Sequence, residues 1–321
     1  MKLRVVLLLA SALALVAGPA FAQYPTKPVR IIVPYPPGGT TDILARLVAK
    51  GLTDKFGQTF VVENRPGASG AIGSQAVAKS PPDGYTLVMG TISSHGINSA
   101  LYRSLPYDAV KDFAPVTNVA STPNVITVNP GVPAKNLNEL LKLAREKPGK
   151  LNFGSTSQGG SPHMSAELLK MMAHVELVHV PYKGAGPMLA DLIGGQIEIG
   201  FDNLPSSMSH IRSGKVRAIA VTSAKHALAL PELPTIAESG VPGYEVTSWN
   251  AILAPAGTPK EIITRLNGEL NKIIAAPDMR QRLIDNGFEP VGGSPEKATE
   301  KIHSEILKWA PVVKAAGIKV D

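Results

Sequence analysis

The sequence predicts an α/β protein of two lobes, joined by two strands that cross between them. Strand and helix patterns alternate along the chain, which is typical of parallel sheets covered by helices on both faces. Two extended, β-rich segments flanked by proline or glycine, near 113–128 and 244–255, interrupt this alternation. One such connecting segment would suffice if the second unit simply followed the first along the chain. Two joins indicate that the chain leaves the first lobe, builds the second and returns.

The first unit begins with three strand patterns separated by two helix patterns. The predicted strands are 29–35, 60–65 and 85–91, and the predicted helices are 42–57 and 71–80. After Val125 the pattern restarts. The predicted strands of this second unit are 125–129, 151–155, 175–182, 197–201 and 216–222, with helices at 136–147, 162–173 and 187–196.

Three further helical patterns between 259 and 317 follow the second join. The division predicted from these patterns places the first lobe at 23–122 and 246–321, and the second lobe at 123–245. A cleft between two such lobes is a common place for a ligand, because the carboxyl ends of both sheets face it.

The first residues predict export from the cytoplasm. Lys2 and Arg4 precede a short apolar run, and the small residues of "AFA" at 20–22 are those that a signal peptidase reads. We therefore expect a signal peptide over 1–22 and a periplasmic protein, with an uncleaved membrane anchor as the alternative. The sequence has no cysteine, so the fold has no disulfide even in an oxidising compartment.

Charge and composition favour a small anionic ligand over a nucleic acid. The formal net charge is +7, and it is spread along 321 residues without a long basic run. A mildly positive protein attracts small anions. No cofactor and no metal site is predicted, and the protein is expected to be a monomer.

Two glycine-rich loops stand where a predicted strand gives way to a helix. "YPPGGTTD" occupies 35–42, and "GSTSQGGSPHM" occupies 154–164. The second loop resembles a phosphate loop, but Gly160 stands where that motif has its lysine. A helix start holds a carboxylate or phosphate through free N–H groups and the helix dipole. One such loop in each lobe predicts a pincer for an anion, although an ordinary βα turn is the alternative for each loop alone.

Nucleotide binding and the common catalytic motifs find little support. Neither loop has a lysine, and Leu189 occupies the position where a dinucleotide-binding motif would have its last glycine. The sequence has no cysteine nucleophile, no G-x-S-x-G elbow and no H-E-x-x-H helix. His163 and His95 stay as candidate bases for a hydrolase or isomerase that acts on a carboxylate.

Several long motifs resemble the Bug family of periplasmic solute receptors, the extracytoplasmic components of tripartite tricarboxylate transporters. They include "YPPGGTTDILARLVA", "VVENRPGASGAIGSQAVAKSPPDGYTL", "LNFGSTSQGGSPHMSAELL", "VHVPYKGAGPMLADLIGGQIEIGFDN", "LPELPTIAESGVPGYEV" and "APAGTPKEIITRLN". The resemblance covers nearly the whole chain after residue 22. It implies a type II periplasmic-binding-protein fold of the Venus flytrap kind, in which two βα loops hold a carboxylate with amides, hydroxyls and water.

On this resemblance the protein binds a small carboxylate, such as an amino-dicarboxylate, a tricarboxylate or an aromatic acid, and performs no chemistry. Its partners are the membrane components of such a transporter, or a sensor protein if it serves signalling. The predicted ligand-binding residues are Tyr35, Pro37, Gly38, Gly39, Thr40, Asp42, Thr91, Ser93, Ser155, Thr156, Gly159, Gly160, Ser161, His163 and Asp202.

Three of these positions and two residues outside the set keep alternative interpretations. Thr91 and Ser93 lie in a segment that also suits a capped loop, and Asp202 also suits an N-cap. Lys183 in "PYKG" is interpreted as a solvated turn residue near the cleft. Trp249 is interpreted as packing in the hinge, with lining of the cleft as the alternative.

Overall fold

The computed structural model describes residues 24–318, which form two mixed sheets covered by helices. The strands are β1 (Val29–Val33), β2 (Phe60–Asn64), β3 (Thr86–Thr91), β4 (Phe113–Val128), β5 (Asn152–Ser155), β6 (Val178–Pro181), β7 (Ile199–Asn203), β8 (Arg217–Val221), β9 (Thr247–Pro255) and β10 (Glu289–Pro290). The predicted signal peptide, 1–22, lies outside the described residues.

The helices cover both faces of the sheets. They are α1 (Thr40–Phe56), α2 (Ala71–Ala78), α3 (Asn98–Leu101), α4 (Leu137–Glu146), α5 (Ser161–Ala173), α6 (Ala185–Ile193), α7 (Leu204–Arg212), α8 (Lys260–Ala275), α9 (Pro277–Asp285) and α10 (Pro295–Ala316). A 3₁₀ turn, Ala68–Gly70, precedes α2, and a π-helical turn, Ser93–Ile97, leads into α3. Within residues 24–318, none of the helices combines the length and apolar character needed to cross a bilayer.

One long strand, β4, belongs to both sheets. Up to Pro123 it pairs antiparallel with β9, in a sheet of order β2-β1-β3-β9-β4. From Asn124 onward it pairs with β7 and β8, and β5 and β6 continue that second sheet. We call the first sheet with its helices the first lobe and the second sheet with its helices the second lobe. The predicted two-lobed α/β fold is confirmed, whereas the numerical division at 122 and 245 stays a prediction.

The returning chain is tied to β4 where the lobes meet. The Val246 backbone N–H donates to the Thr222 carbonyl oxygen over 2.8 Å, and the Thr222 N–H donates to the Asn124 carbonyl oxygen over 3.0 Å. The Thr222 hydroxyl in turn donates to the Val246 carbonyl over 2.6 Å. These bonds join three segments far apart in sequence, so both crossings lie side by side at the hinge.

The cores of the two lobes follow from strands that are buried on both faces. All six residues of β3 are buried, as expected for a strand in the middle of a sheet with helices above and below. The first lobe packs β1 against α1, with Ile31 and Leu44 fully buried in one apolar cluster. Trp309 of α10 shares a second cluster with Leu169 of α5, so the C-terminal helix also packs against the second lobe.

Two local predictions were wrong. The segment after β3, for which a capped loop was one of two interpretations, is helical from Ser93 to Leu101. The predicted strand at 175–182 is limited to Val178–Pro181, because only these residues pair with β5. The carboxyl ends of β1, β3, β5, β6 and β7 all point toward the gap between the lobes, and this arrangement positions the site.

Candidate functional site

The cleft between the lobes holds a cavity of about 60 Å³. Its wall is formed by Tyr35, Pro36, Gly39, Thr40, Thr41, Thr91 and Ser93 of the first lobe, by Thr156, Ser157, Pro162, Gly184, Ala185, Asp202, Asn203 and Ser206 of the second, and by Ser248 and Asn250 of β9. Hydroxyl groups and helix starts dominate this wall. Asp202 is the one residue among them with a formally charged side chain.

Direct hydrogen bonds join the lobes across the cleft. The Thr40 hydroxyl donates to the Ser206 hydroxyl over 3.1 Å. The Ser161 backbone N–H donates to the Ser93 hydroxyl, also over 3.1 Å. At the mouth of the cleft, the Ser69 hydroxyl donates to the Gln158 carbonyl oxygen over 2.6 Å. The lobes are therefore in contact, and the structure is of the closed kind.

The first glycine-rich loop presents the start of α1 to the cavity. Gly39 is the N-cap residue, and no side chain caps the helix. The backbone N–H groups of Thr40 and Thr41 find no acceptor among residues 24–318, and both residues line the cavity. Such uncapped N–H groups, together with the helix dipole, favour an anion.

Asp42 lies behind this loop and stabilises it. Its carboxylate accepts hydrogen bonds from the Gly38 N–H (3.0 Å), from Arg46 (2.9 Å and 3.0 Å) and from the Asn64 amide (2.9 Å). Burial acts to raise the pKa of Asp42, but the bonds from Arg46, Gly38 and Asn64 outweigh it and hold that pKa below its usual range. All its acceptor capacity is directed away from the cavity, so its geometry is that of a positioning residue.

The second glycine-rich loop uses its amides internally. The Gly159 N–H donates to His163 Nδ1 over 2.9 Å, and the Gly160 N–H donates to the Ser157 carbonyl oxygen over 3.3 Å. The Ser161 N–H is the one bonded to Ser93 across the cleft. Of this loop and the start of α5, only Thr156, Ser157 and Pro162 reach the cavity.

The start of α6 faces the cavity in the place where the second loop was expected. Gly184 is its N-cap residue, with φ +111°, and no side chain caps the helix. The Gly184 N–H donates to the Thr156 carbonyl oxygen over 3.0 Å. The N–H of Ala185, the first helical residue, has no acceptor among residues 24–318. The second lobe therefore offers a free N–H to an anion at the start of α6, as the first lobe does at the start of α1.

Asp202 ends β7 at the wall of the cavity and is 1% exposed. Its carboxylate accepts from the Ser206 hydroxyl (2.6 Å), the Ser207 hydroxyl (2.9 Å) and the Asn203 N–H (2.7 Å). Burial raises its pKa to about 6 despite these bonds. The N-cap residue of α7 is Asn203, so the predicted N-cap alternative for Asp202 is displaced by one residue.

Two polar side chains complete the inner wall. The Tyr35 hydroxyl lies 2.7 Å from the Thr91 hydroxyl and fixes both groups at the end of β3. Asn250, which is 2% exposed, has a side-chain oxygen without a hydrogen-bond partner among residues 24–318. This oxygen is therefore available to accept a hydrogen bond from a donor group of a ligand in the cavity. Trp249, between Ser248 and Asn250, points to the other face of β9 and is buried in the core.

The two histidines considered as bases do not line the cavity. His95 is fully buried; its Nδ1 lies 2.8 Å from the Ser94 hydroxyl, and burial lowers its pKa to about 3. His163 stacks on His179, with ring centroids 3.7 Å apart, beneath the second loop. Burial, followed by the nearby His163, lowers the pKa of His179 to about 3. Nowhere in residues 24–318 do three or more metal-ligating side chains cluster.

The structure brings only part of the predicted set to the cavity. The predicted residues that line it are Tyr35, Gly39, Thr40, Thr91, Ser93, Thr156 and Asp202. Those that lie behind the wall or beside it are Pro37, Gly38, Asp42, Ser155, Gly159, Gly160, Ser161 and His163. Ser155 and His163 support the second loop from beneath, since the Ser155 hydroxyl also lies 2.7 Å from His179 Nε2.

The cavity residues absent from the predicted set are Gly184, Ala185, Ser206, Ser248 and Asn250, together with Pro36, Thr41, Ser157, Pro162 and Asn203. A signal for the first two was present, because Gly184 follows a strand and precedes a helix just as the two recognised loops do. No comparable signal marks Ser248 and Asn250, whose exposure to the cavity follows from the pleat of β9.

Comparisons with known proteins give one consistent result. The model of the family described as "Tripartite tricarboxylate transporter family receptor" matches residues 44–318. Protein BugT of Bordetella pertussis is 37% identical over 307 residues, which cover 95% of this chain and 94% of BugT.

Two solved structures of Rhodopseudomonas palustris proteins superpose closely. Rpa4515 with adipate is 44% identical with a TM-score of 0.90, covering 92% of this chain and 99% of that one. MatC (Rpa3494) with bound malate is 32% identical with a TM-score of 0.84, covering 90% of this chain and 100% of that one.

Proposed function

Because the chain belongs to the family of tripartite tricarboxylate transporter receptors, we propose that it is a periplasmic receptor that binds a small carboxylate between its lobes and delivers it to the membrane components of such a transporter. Ligand binding stabilises the closed arrangement of the lobes, which the membrane components recognise. The receptor carries out no chemistry on its ligand.

The observation that carries this proposal is the pair of uncapped helix starts that face each other across the cavity. The free N–H groups of Thr40 and Thr41 belong to the first lobe, and that of Ala185 belongs to the second. A carboxylate placed between them accepts hydrogen bonds from both lobes and gains from both helix dipoles. Since the starts of α1 and α6 belong to different lobes, an anion bound to both stabilises the closed cleft.

The cavity wall explains why a cation is not needed. Its remaining polar groups are mostly hydroxyls, such as those of Thr91 and Ser93. Amides, hydroxyls and bridging water hold a carboxylate without the desolvation cost of a buried ion pair. Such a site suits a receptor that must also release its ligand. The relatives described with adipate and malate support a carboxylate ligand here.

A hydrolase or isomerase is the less favoured alternative. His163 and His95 are both buried away from the cavity, so neither reaches a ligand held there. Long incubation of the protein with a bound carboxylate, followed by mass spectrometry, should recover the compound unchanged. Conversion of the compound would favour the enzyme.

The proposal is tested by removing a single amide. A thermal-shift screen of mono-, di- and tricarboxylates first identifies a ligand, and calorimetry then compares Thr40→Pro with Thr40→Ala. Both variants lose the hydroxyl that contacts Ser206, but only proline also removes the N–H. Proline suits this first helical position, because the preceding Gly39 is extended, with ψ 167°.

We expect Thr40→Pro to bind the carboxylate about 10- to 100-fold more weakly than Thr40→Ala, the effect of losing one hydrogen bond to a charged group. Equal affinity in the two variants would show that α1 does not hold the anion. Absence of any carboxylate among the ligands of the screen would refute the proposed function itself.

A further inference from the structure

Two stacked histidine rings lie beneath the second glycine-rich loop, outside the cavity. His163 of α5 and His179 of β6 have ring centroids 3.7 Å apart, with an angle of 11° between the ring planes. Phe153 of β5 continues the stack on the other face of His179, with centroids 4.9 Å apart. These three rings do not line the cavity, so carboxylate binding does not use them directly.

Hydrogen bonds fix where the neutral His163 ring carries its proton. The Gly159 N–H donates to His163 Nδ1 over 2.9 Å, so Nδ1 is an acceptor and is unprotonated. The ring proton is therefore on Nε2, which lies 3.5 Å from Glu167 Oε1. A second proton can enter only at Nδ1, where the Gly159 N–H already points. Protonation of His163 would set two donors against each other, and the bond to the loop would be lost.

His179 has a different hydrogen-bond pattern. The Ser155 hydroxyl donates to the Ser157 carbonyl oxygen over 3.2 Å and lies 2.7 Å from His179 Nε2, so it accepts the proton of that nitrogen. Burial, followed by the nearby His163, lowers the pKa of His179 to about 3. His179 is therefore neutral over the pH range in which an ordinary imidazole titrates. His163 is the ring of the pair whose protonation would break a bond to the loop.

The ionisable groups closest to the pair belong to α5 itself. Lys170 Nζ donates to both carboxylate oxygens of Glu167, each over 2.8 Å. Burial acts to raise the pKa of Glu167, but hydrogen bonds from His163 and Lys170 outweigh it and hold that pKa below its usual range. Glu167 is therefore ionised and already neutralised by a lysine.

The elements packed against α5 add few ionisable groups. The sequences of β4, β5, α3 and the loop 156–160 contain no Asp, Glu, His, Lys, Arg or Tyr. Asp202 of β7 is bonded to the serines of α7, and Glu305 of α10 is bonded to Lys301 and Trp309. The Tyr244 hydroxyl donates to the Ser165 carbonyl, and burial raises its pKa, so this group stays neutral.

The loop held by His163 is also where the second lobe touches the first. The Gln158 carbonyl accepts from the Ser69 hydroxyl over 2.6 Å, and the Ser161 N–H donates to the Ser93 hydroxyl over 3.1 Å. Gly159 lies between these two contacts, and a Cβ built on it would meet a side chain of the first lobe. The position of Gly159 therefore determines whether both bonds between the lobes can form.

We propose that His163 is a positioning residue whose unprotonated Nδ1 holds the second glycine-rich loop against the first lobe, and that a proton on this nitrogen releases the loop. The closed arrangement then binds one proton fewer than the open one, so lower pH favours opening. The release of the loop needs no ligand. Its consequence, a carboxylate affinity that falls with pH, rests on the proposed function.

The variant His163→Asn separates the bond from the titration. The asparagine oxygen lies close to the position of Nδ1, so it can accept from the Gly159 N–H, but it takes up no proton. His174→Asn is the matched control, because this exposed histidine ends the same helix with φ 53°, a conformation that asparagine tolerates.

Hydrogen exchange of the unliganded protein tests the release of the loop. Mass spectrometry follows the peptide 154–164 at pH 7.5 and pH 5, with rates corrected for the chemical pH dependence. Protection should fall about tenfold at pH 5 in the wild type and in His174→Asn, but not in His163→Asn. The peptide containing β3 should keep its protection in all three proteins. Protection that is independent of pH in the wild type, or that falls equally in His163→Asn, would overturn the inference.

Nuclear magnetic resonance tests the bond itself, whatever the variant does to the loop. In the ¹⁵N-labelled wild type, coupling across the hydrogen bond between the Gly159 nitrogen and His163 Nδ1 should be present at pH 7.5 and absent at pH 5. Coupling that persists at pH 5 would overturn the inference. Loss of exchange protection in His179→Phe at pH 7.5 alone would not, because this variant also removes the bond to Ser155.

Calorimetry with adipate and malate, the compounds bound to the two Rhodopseudomonas palustris relatives, tests the consequence for affinity. From pH 7.5 to pH 5 the wild type should lose about ten- to thirtyfold more affinity than His163→Asn, and the titration of the compounds cancels in this ratio. A ratio that stays constant would show that the loop is not coupled to binding. Failure of every carboxylate to bind would refute the proposed function, whereas hydrogen exchange would still decide the role of His163.

Discussion

Replacing Asp202 with asparagine should change how the free energy of unfolding depends on pH. The Asp202 carboxyl is buried in the cavity wall, and burial raises its pKa from 3.8 to about 6. Asparagine has the same shape and keeps the hydrogen bonds, since its oxygen can accept from the Asn203 N–H while its amide donates to Ser206 and Ser207, whose hydroxyls rotate. The substitution therefore removes the titratable group and leaves the packing and hydrogen bonds nearly unchanged.

The sign and size of this pH dependence follow from the pKa of Asp202 in the unfolded and folded states. A group with a raised pKa in the folded state contributes stability that is present below its unfolded pKa and is lost as the pH rises through its folded pKa. For Asp202 this window runs from about pH 4 to about pH 6. At about 1.4 kcal/mol per pH unit, the loss amounts to about 3 kcal/mol.

Urea denaturation of the wild type and Asp202→Asn between pH 4 and pH 7.5 measures this loss. The stability of the wild type relative to the variant should fall by about 3 kcal/mol across the range, because the other titrating groups cancel in the difference. If the difference in unfolding free energy between wild type and variant stays constant with pH, burial does not raise the pKa of Asp202 and the reasoning is refuted. A difference that grows in favour of the wild type would show that the start of α7 and the two serine hydroxyls outweigh burial and lower the pKa.

Three further substitutions test how the loops and the hinge support the site. Gly159→Ala should weaken carboxylate binding by about tenfold, because a Cβ there meets Leu101 of the first lobe and φ is +71°. Gly160→Ala should weaken it less, because its Cβ would meet only the Ser157 hydroxyl oxygen at close range, which can rotate away, and its φ is not positive. Calorimetry separates the two, and equal affinities would contradict the prediction. Ser69→Ala removes the bond to Gln158 across the mouth of the cleft, so small-angle scattering of the unliganded protein should show a larger radius of gyration; an identical profile would mean that this bond does not hold the lobes together. Asn124→Ala should lower the free energy of unfolding by about 2 to 4 kcal/mol in urea titrations, since this buried hinge side chain makes several hydrogen bonds; a loss below 0.5 kcal/mol would contradict that role.

The alternation of strands and helices was sufficient to predict the class of the fold. Apolar periodicity depends on neighbours within one element, and β1, α1 and β3 therefore lie within a few residues of the predicted positions. The two extended segments between the lobes were also predicted, because their β-rich composition is a local feature of the sequence. The π-helical turn at Ser93–Ile97 was missed because polar residues there suited a loop equally well.

The sequence predicted part of the site. The predicted and observed sites differ in which backbone N–H groups are free to bind a ligand. The sequence shows that Gly39 and Gly160 both precede a helix, and the structure confirms both helix starts. It does not show that the amide of Ser161 is bonded to Ser93, a residue 68 positions away. Nor does it show that the corresponding amide of Ala185 is free.

Hydrogen-bond satisfaction is a property of the assembled structure, because the acceptor for a given N–H can come from any part of the chain. The sequence by itself determined that this protein has two lobes, a hinge and helix starts suited to an anion. Only the tertiary structure decided that α6, and not the α5 loop, offers its amide to the cavity. This outcome depends on contacts between lobes, which no local pattern encodes.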